Sequence, residues 1–431
     1  MCLALYFKYL TYLSTFYSLT TTANTTTNYL NLYIKEINKE KAYGQKEVYM
    51  IVTFDRDVLL NALIPTMNTV SGKNTMPTIE GIHITCYEDG RCMLQSYDLE
   101  KGTRTYLTAE VEKGGACIIN AQKLQQIVKA MPKGGIKFSV DSTFNMVIES
   151  GLIHFDIKCL PGSQFPALPE LRGDRGFIFP QYLFKKFVNR VVFSIAQGDA
   201  RPIFNGAYFK VKDNSIKIVA CDGNRLAICE HNIEIENTNY DENEPLNLDF
   251  IIPGKTLIEA LKIVKDVDEE MEIRLTRKYV ILKVGKIIFF SKTIDTQYFD
   301  YTRLIPTVHN LDFNLDCEQF RSALERSSLI IEDRLSGSIR SYVKFTIDER
   351  LSVSTQSPNG NVYDEIDIEK INGENLVIAF DCKALLDAIK VCDEGPMNLK
   401  FENPLKGVLI NPTCKDEGKF TYYVMPMRMT H

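Results

Sequence analysis

PGKTLIEALKIVK (253–265) decides the fold, because its pattern occurs three times. Lys255 is followed two residues later by Leu257, and the apolar residues recur at helical spacing. The same signature returns in DCKALLDAIKVC (381–392), with Lys383 and Leu385. It returns with a one-residue offset in NAQKLQQIVKAM (120–131), with Lys123 and Leu124. The copies lie about 130 residues apart, close to the size of one domain. A second helical pattern precedes each copy: DRDVLLNALIPTMNTV (55–70), PQYLFKKFVNRVVFSIA (180–196) and CEQFRSALERSSLII (317–331). Pro180 suits a helix start.

Between the two helices of each copy stands a strand pair: IEGIHITCYEDGRCMLQSYD, FNGAYFKVKDNSIKIVACD and SYVKFTIDERLSVSTQS. Glu88-Asp89-Gly90 and Lys212-Asp213-Asn214 are hairpin-type turns. More strands follow each second helix. The expected fold is therefore α+β, with three tandem similar domains of two helices and antiparallel sheets each. The domains are set at 50–172, 173–306 and 307–431, the first two ending in the Pro-bearing connectors PGSQFPALPEL (161–171) and FDYTRLIP (299–306). Leftover strand edges favour sheet pairing between neighbours or closure into a ring.

Residues 1–49 read differently. An aromatic-rich start passes into TTTANTTTN, a tract without helical or strand period. The segment is a disordered extension or a start-site artefact ahead of Met50. It lacks a leading positive charge, and Lys8 interrupts its apolar run, so it is a poor signal peptide. A secreted or surface repeat protein is the alternative function, and it rests on this segment alone.

The 431 residues carry a formal net charge of −5, which excludes a globally basic nucleic-acid binder but not a local basic face. The helical stretches 56–70, 120–133, 181–198, 253–265, 317–331 and 381–392 together hold +8, while the rest of residues 50–431 holds −15. If equivalent helices line one surface, that surface is basic inside an acidic particle. It would attract a duplex backbone without reading bases. The 11 cysteines show no C-x-x-C pair, and with 5 histidines they predict a reducing compartment and no metal. No nucleotide-binding, hydrolase or zinc-protease motif is present, and Asp222 beside Arg225 reads as a turn or salt bridge rather than a catalytic pair. No enzyme activity and no cofactor are expected. No run of 18 apolar residues predicts a membrane span.

Several strings carry a family resemblance: MIVTFDRDVLLNAL (50–63), SYDLE (96–100), DARPIFNGAYF (199–209), ACDGNRLA (220–227), FDYTRLIP (299–306) and YVMPMRM (423–429). Over 50–431 the chain resembles the bacterial sliding clamps, the beta subunit of DNA polymerase III. The resemblance implies a head-to-tail homodimeric ring of six similar domains. Such a ring encircles double-stranded DNA without sequence preference and tethers the replicative polymerase in the cytoplasm. It implies DNA contacts at Lys73, Lys123, Gln197, Arg201 and Lys255. It implies a pocket for short linear motifs of polymerase, clamp loader and repair proteins. That pocket draws on Arg201, Phe204, Cys221, Gly223, Asn224, Arg225, Leu226, Phe299, Arg303 and Leu304, and on the terminal strand Tyr423, Val424, Met425, Pro426, Met427, Arg428 and Met429. Alternation puts the three methionines on one strand face, where flexible thioethers suit varied peptides. Ring closure is assigned to Phe155 and Ile157 on one side and Leu329 and Ile330 on the other. Cys221, Asn224 and Phe299 depart from the family's usual Thr, His and Pro, which bears on peptide preference.

Overall fold

The computed structural model describes residues 48–72, 76–171, 173–239, 244–331, 342–358, 360–413 and 418–429. Residues 1–47 and Lys73 lie outside the described residues. The first strand, Val48–Asp55, begins two residues before Met50, and the Tyr49 ring packs 5.1 Å from that of Phe144.

Among the described residues six α-helices form: α1 (Arg56–Met67), α2 (Ala121–Ala130), α3 (Gln181–Asn189), α4 (Gly254–Ile263), α5 (Cys317–Ser328) and α6 (Cys382–Lys390). Side chains of Asp55, Asn120, Asp316 and Asp381 accept backbone N–H bonds at the starts of α1, α2, α5 and α6. These bonds satisfy donors that a helix leaves unpaired. α3 and α4 follow Pro180 and Pro253 without a side-chain cap, so Pro180 precedes the first turn instead of lying within it. α3 also ends earlier than its apolar pattern. The chain tightens at Val192–Ser194, which still leaves Val191 fully buried.

Each repeat supplies two half-sheets, and the halves of neighbouring repeats fuse. Lys101–Thr108 pairs antiparallel with Ile287–Lys292, joining repeats one and two in a ten-stranded sheet. Arg225–His231 pairs antiparallel with Lys419–Val424, joining repeats two and three in a nine-stranded sheet. Two halves are left over. A five-stranded sheet of repeat one ends at Ile153–Lys158, and a four-stranded sheet of repeat three ends at Gly360–Asp367. One apolar core runs through repeats two and three, whereas repeat one has a core of its own.

Arg190 corrects the charge tally of the helices. It is 6% exposed and bonds Asp393 at 2.5 Å, so its charge is spent inside the joint between repeats two and three. Asp393→Ala strands that buried guanidinium. It is expected to cost about 3 kcal/mol, read as a lower urea midpoint for this joint.

Candidate peptide pocket and basic helix ends

Arg225–His231 and Lys419–Val424 carry an apolar layer across the second joint. Phe204, Val219, Cys221, Leu226, Ile228, Leu409 and Tyr423 form one buried cluster. Phe299 packs on it, its ring 5.6 Å from Phe204 at 82°. Cys221, 2% exposed, sits in this floor, and burial pushes its thiol up to about 11. It therefore stays a neutral, apolar contact.

Above the floor the chain makes a tight turn. Gly223 has φ +93°, a backbone state that favours glycine. The Asp222 carboxylate accepts from Asn224 N and Arg225 N, both at 2.9 Å. Arg225 donates through Nε to Asp222 at 2.9 Å and through Nη1 to Asp387 of α6 at 2.8 Å. The pair is thus a turn lock that also ties repeat two to repeat three. A cavity of about 190 Å³ opens beside it. Asp222, Asn224 and Arg225 form one wall, Asp381, Lys383 and Ala384 at the start of α6 a second, and Met425, Pro426 and Met427 a third.

The terminal segment differs from the expected strand. Regular pairing stops at Val424. Beyond it, Met425 N donates to Asn224 O at 2.8 Å and Met427 N to Ala379 O at 2.7 Å, so the segment crosses from repeat two to a strand edge of repeat three. Pro426 has no N–H to continue a ladder. Met425 (41%) and Met429 (37%) are exposed, while Met427 is half-buried. Phe204, Cys221, Leu226, Tyr423 and Val424 are buried and do not line the cavity. Arg303 and Leu304 stand on the exposed turn Tyr301–Leu304, outside the cavity wall, with Arg303 Nε 2.9 Å from Asp300. Phe299 also lines a second cavity of about 490 Å³ on its far side. Asp381, Lys383 and Ala384 were not anticipated. Only the repeated lysine hinted that this helix start is special.

Arg201 was assigned to both surfaces. Its Nε donates to Asp199 at 3.0 Å, and its guanidinium lies 4.3 Å above the Phe204 ring. These hydrogen bonds hold the Asp199 carboxyl down at about 2. The geometry sets Arg201 over the Phe204 ring with its charge compensated by Asp199. Lys123 and Lys255 differ from it. They occupy the third residue of α2 and the second of α4, are exposed, and make no ion pair among the described residues. Gln197 is exposed in the loop after α3. Phe155 (36% exposed) lies on the free edge Ile153–Lys158 with Ile157, and Leu329 (83%) and Ile330 follow α5. Among the described residues no cluster of His, Cys, Asp and Glu is arranged to hold a metal, and no helix is long and apolar enough to cross a membrane.

Three family models match the chain in succession. The DNA polymerase III beta subunit N-terminal domain covers 50–169, the central domain 179–300 and the C-terminal domain 302–428. The beta sliding clamp of Bacillus subtilis is 28% identical over 390 residues, covering 88% of this chain and 100% of its own length. That of Staphylococcus epidermidis is 28% identical over 388 residues, covering 88% and 99%. The crystal structure of the Bacillus subtilis DNA polymerase sliding clamp superposes with a TM-score of 0.81 at 27% identity, over 89% of this chain and 100% of that one. A DnaN sliding clamp from Bartonella birtlesii bound to griselimycin superposes at 0.79 with 28% identity, over 88% and 100%.

Proposed function

The chain belongs to the DNA polymerase III beta subunit family, the bacterial sliding clamps, and is a non-catalytic DNA clamp of replication; from that premise we propose how its own residues do the work. Two copies close head to tail, with units 50–172, 173–306 and 307–431 in each. The observation that carries this reading is the strand arithmetic. Both internal joints are continuous antiparallel sheets of nine or ten strands. The unfinished five- and four-stranded halves would complete a third such sheet only between two copies. Closure pairs Ile153–Lys158 with Gly360–Asp367 of the partner subunit. Phe155, Ile157, Leu329 and Ile330 lie at or beside that seam.

The ring acts in the cytoplasm, where the chromosome is. It holds duplex DNA topologically, so its contacts must be weak and indifferent to sequence if it is to slide. Lys123 and Lys255, at equivalent helix starts and without an ion pair among the described residues, supply such contacts together with Gln197, and Lys73, outside the described residues, is assigned the same role by the family resemblance. Arg201 serves the peptide pocket instead. Converting Lys123 and Lys255 to Glu should shorten retention on nicked circular DNA, with unchanged thermal melting. The salt slope of DNA binding should fall by about 0.9 per lost phosphate contact. Retention equal to wild type would remove both lysines from the assignment.

The cavity walled by Asn224, Ala384 and Met425–Met427 takes short linear motifs of the polymerase, the clamp loader and repair proteins. A few apolar anchors in a groove floored by buried aromatics are the expected energetic centre of such binding. Asn224 makes this pocket's lining less basic than the family's usual His, and Cys221 makes the buried cluster behind it more apolar than the usual Thr, so its ranking of peptides differs from that of its relatives.

A further inference from the structure

The two internal joints share one plan and are filled differently. The first helix of each repeat is anchored by the same backbone bond: Arg56 N to Gly134 O at 2.9 Å, Gln181 N to Glu269 O at 2.9 Å and Cys317 N to Gly395 O at 3.0 Å. Counted from these bonds, Ala62 of α1 stands where Phe187 stands in α3. The joining strands also keep one register. Ile287 faces Thr105 across the first joint, and Phe420 faces Cys229 across the second. Counting from the residues that precede α4 and α6, Lys265 occupies the place of Asp393.

At the second joint the space is full. The Phe187 ring lies 5.2 Å from His231 and 6.3 Å from Phe420, and Arg190 covers Phe420 while bonding Asp393. At the first joint the equivalents are Ala62, Leu107, Ile287 and Lys265, and a cavity of about 480 Å³ remains between them. This is why the core of repeat one is separate. That volume is within the range of small-molecule sites.

One further observation points to a ligand. At one aligned position the charge is reversed relative to the second joint, Lys265 standing where Asp393 stands. Lys265 and Lys286 line the wall and make no ion pair among the described residues, while the wall's one acid, Glu269, accepts from Gln181 Nε2 at 3.4 Å.

We propose that the cavity between repeats one and two binds a small aromatic carboxylate. Its ring takes the space that Phe187 fills at the other joint, and its carboxylate meets Lys265 and Lys286. This site is independent of the ring and of the peptide pocket. The probe is 3-phenylpropionate on the full chain, read by ligand-observed NMR and by methyl shifts of Leu107 and Ile287. Binding that moves those methyls is expected, with 3-phenylpropan-1-ol and butyrate each weaker by about tenfold. Ala62→Phe should fill the cavity and abolish binding. Should that variant fail to fold, Lys265→Glu, an exposed change, should lower affinity about tenfold. Deleting 425–431 should leave binding intact. Absence of binding, unmoved Leu107 and Ile287 methyls, full affinity in Lys265→Glu, or loss on deleting 425–431 would each overturn the site.

Discussion

Deleting residues 425–431 should abolish binding of a polymerase-derived peptide while leaving the chain folded and the ring closed. The two consequences separate because of where the last strand ends. Lys419–Val424 carries the ladder to Arg225–His231 and the buried residues Phe420, Tyr422 and Tyr423, and all of these survive the deletion. What is lost is one wall of the 190 Å³ cavity and the two backbone bonds, to Asn224 O and Ala379 O, that suspend it. Met425 and Met427 are the apolar, adaptable part of that wall. Losing their contact area with an inserted side chain is expected to cost roughly 3–4 kcal/mol, or a few hundredfold in affinity. Fluorescence anisotropy with a labelled peptide measures the loss, and sedimentation velocity checks the ring. Affinity within a factor of about three of wild type would move the peptide site elsewhere. Met427→Ala alone should lose less, since a truncated side chain leaves the backbone bridge to Ala379 in place.

The repeat was legible because helical periodicity and the recurring lysine are local signals. Sheet continuity between repeats was not. Lys101–Thr108 meets Ile287–Lys292 from far along the chain, and a strand carries no mark of which distant edge it will join. The fate of Arg190 was hidden for the same reason. Its helix predicts a surface cation, and only the arrival of Asp393 and Phe420 turns it into a buried joint. The terminal methionines misled in the opposite way. Their alternation fits a strand, but a strand needs a partner on its edge, and after Val424 the chain leaves its ladder at Pro426. The start of α6 was missed because Asp381 reads as a helix cap, which it is, and a cap says nothing about the cavity it faces. Motif matching found residues near the pocket, but burial decides which line it. Cys221, Leu226 and Tyr423 lie too deep to touch a peptide directly.

Phe155→Asp combined with Leu329→Asp should convert a dimeric ring into monomers. Both residues are surface residues of the single chain, at 36% and 83% exposure, so folding has little stake in them. Leu152, fully exposed, and Ile153 at 39% extend the same apolar edge. An edge strand of this character is costly to leave bare, which argues for a partner. Carrying the register of the two internal joints to the third sets Ile153 opposite Asp364 of the partner subunit and Phe155 opposite Val362 of the partner subunit. A carboxylate at Phe155 would then lose its water against a strand, GNVYDEID, that already carries three carboxylates, with Glu149 and Asp156 flanking it on either side of His154. Desolvating that charge costs about 2–3 kcal/mol per seam. A head-to-tail ring has two identical seams that must close together, so the penalty counts twice, to roughly 5 kcal/mol, or several thousandfold in the dimerisation constant. Sedimentation equilibrium reads this shift directly, and unchanged circular dichroism of the variant rules out misfolding. A double variant still dimeric at low micromolar concentration would place the seam on another edge. Monomers that keep peptide affinity but lose retention on circular DNA would then separate tethering from encirclement, because the peptide cavity is built within one chain and the hole needs two.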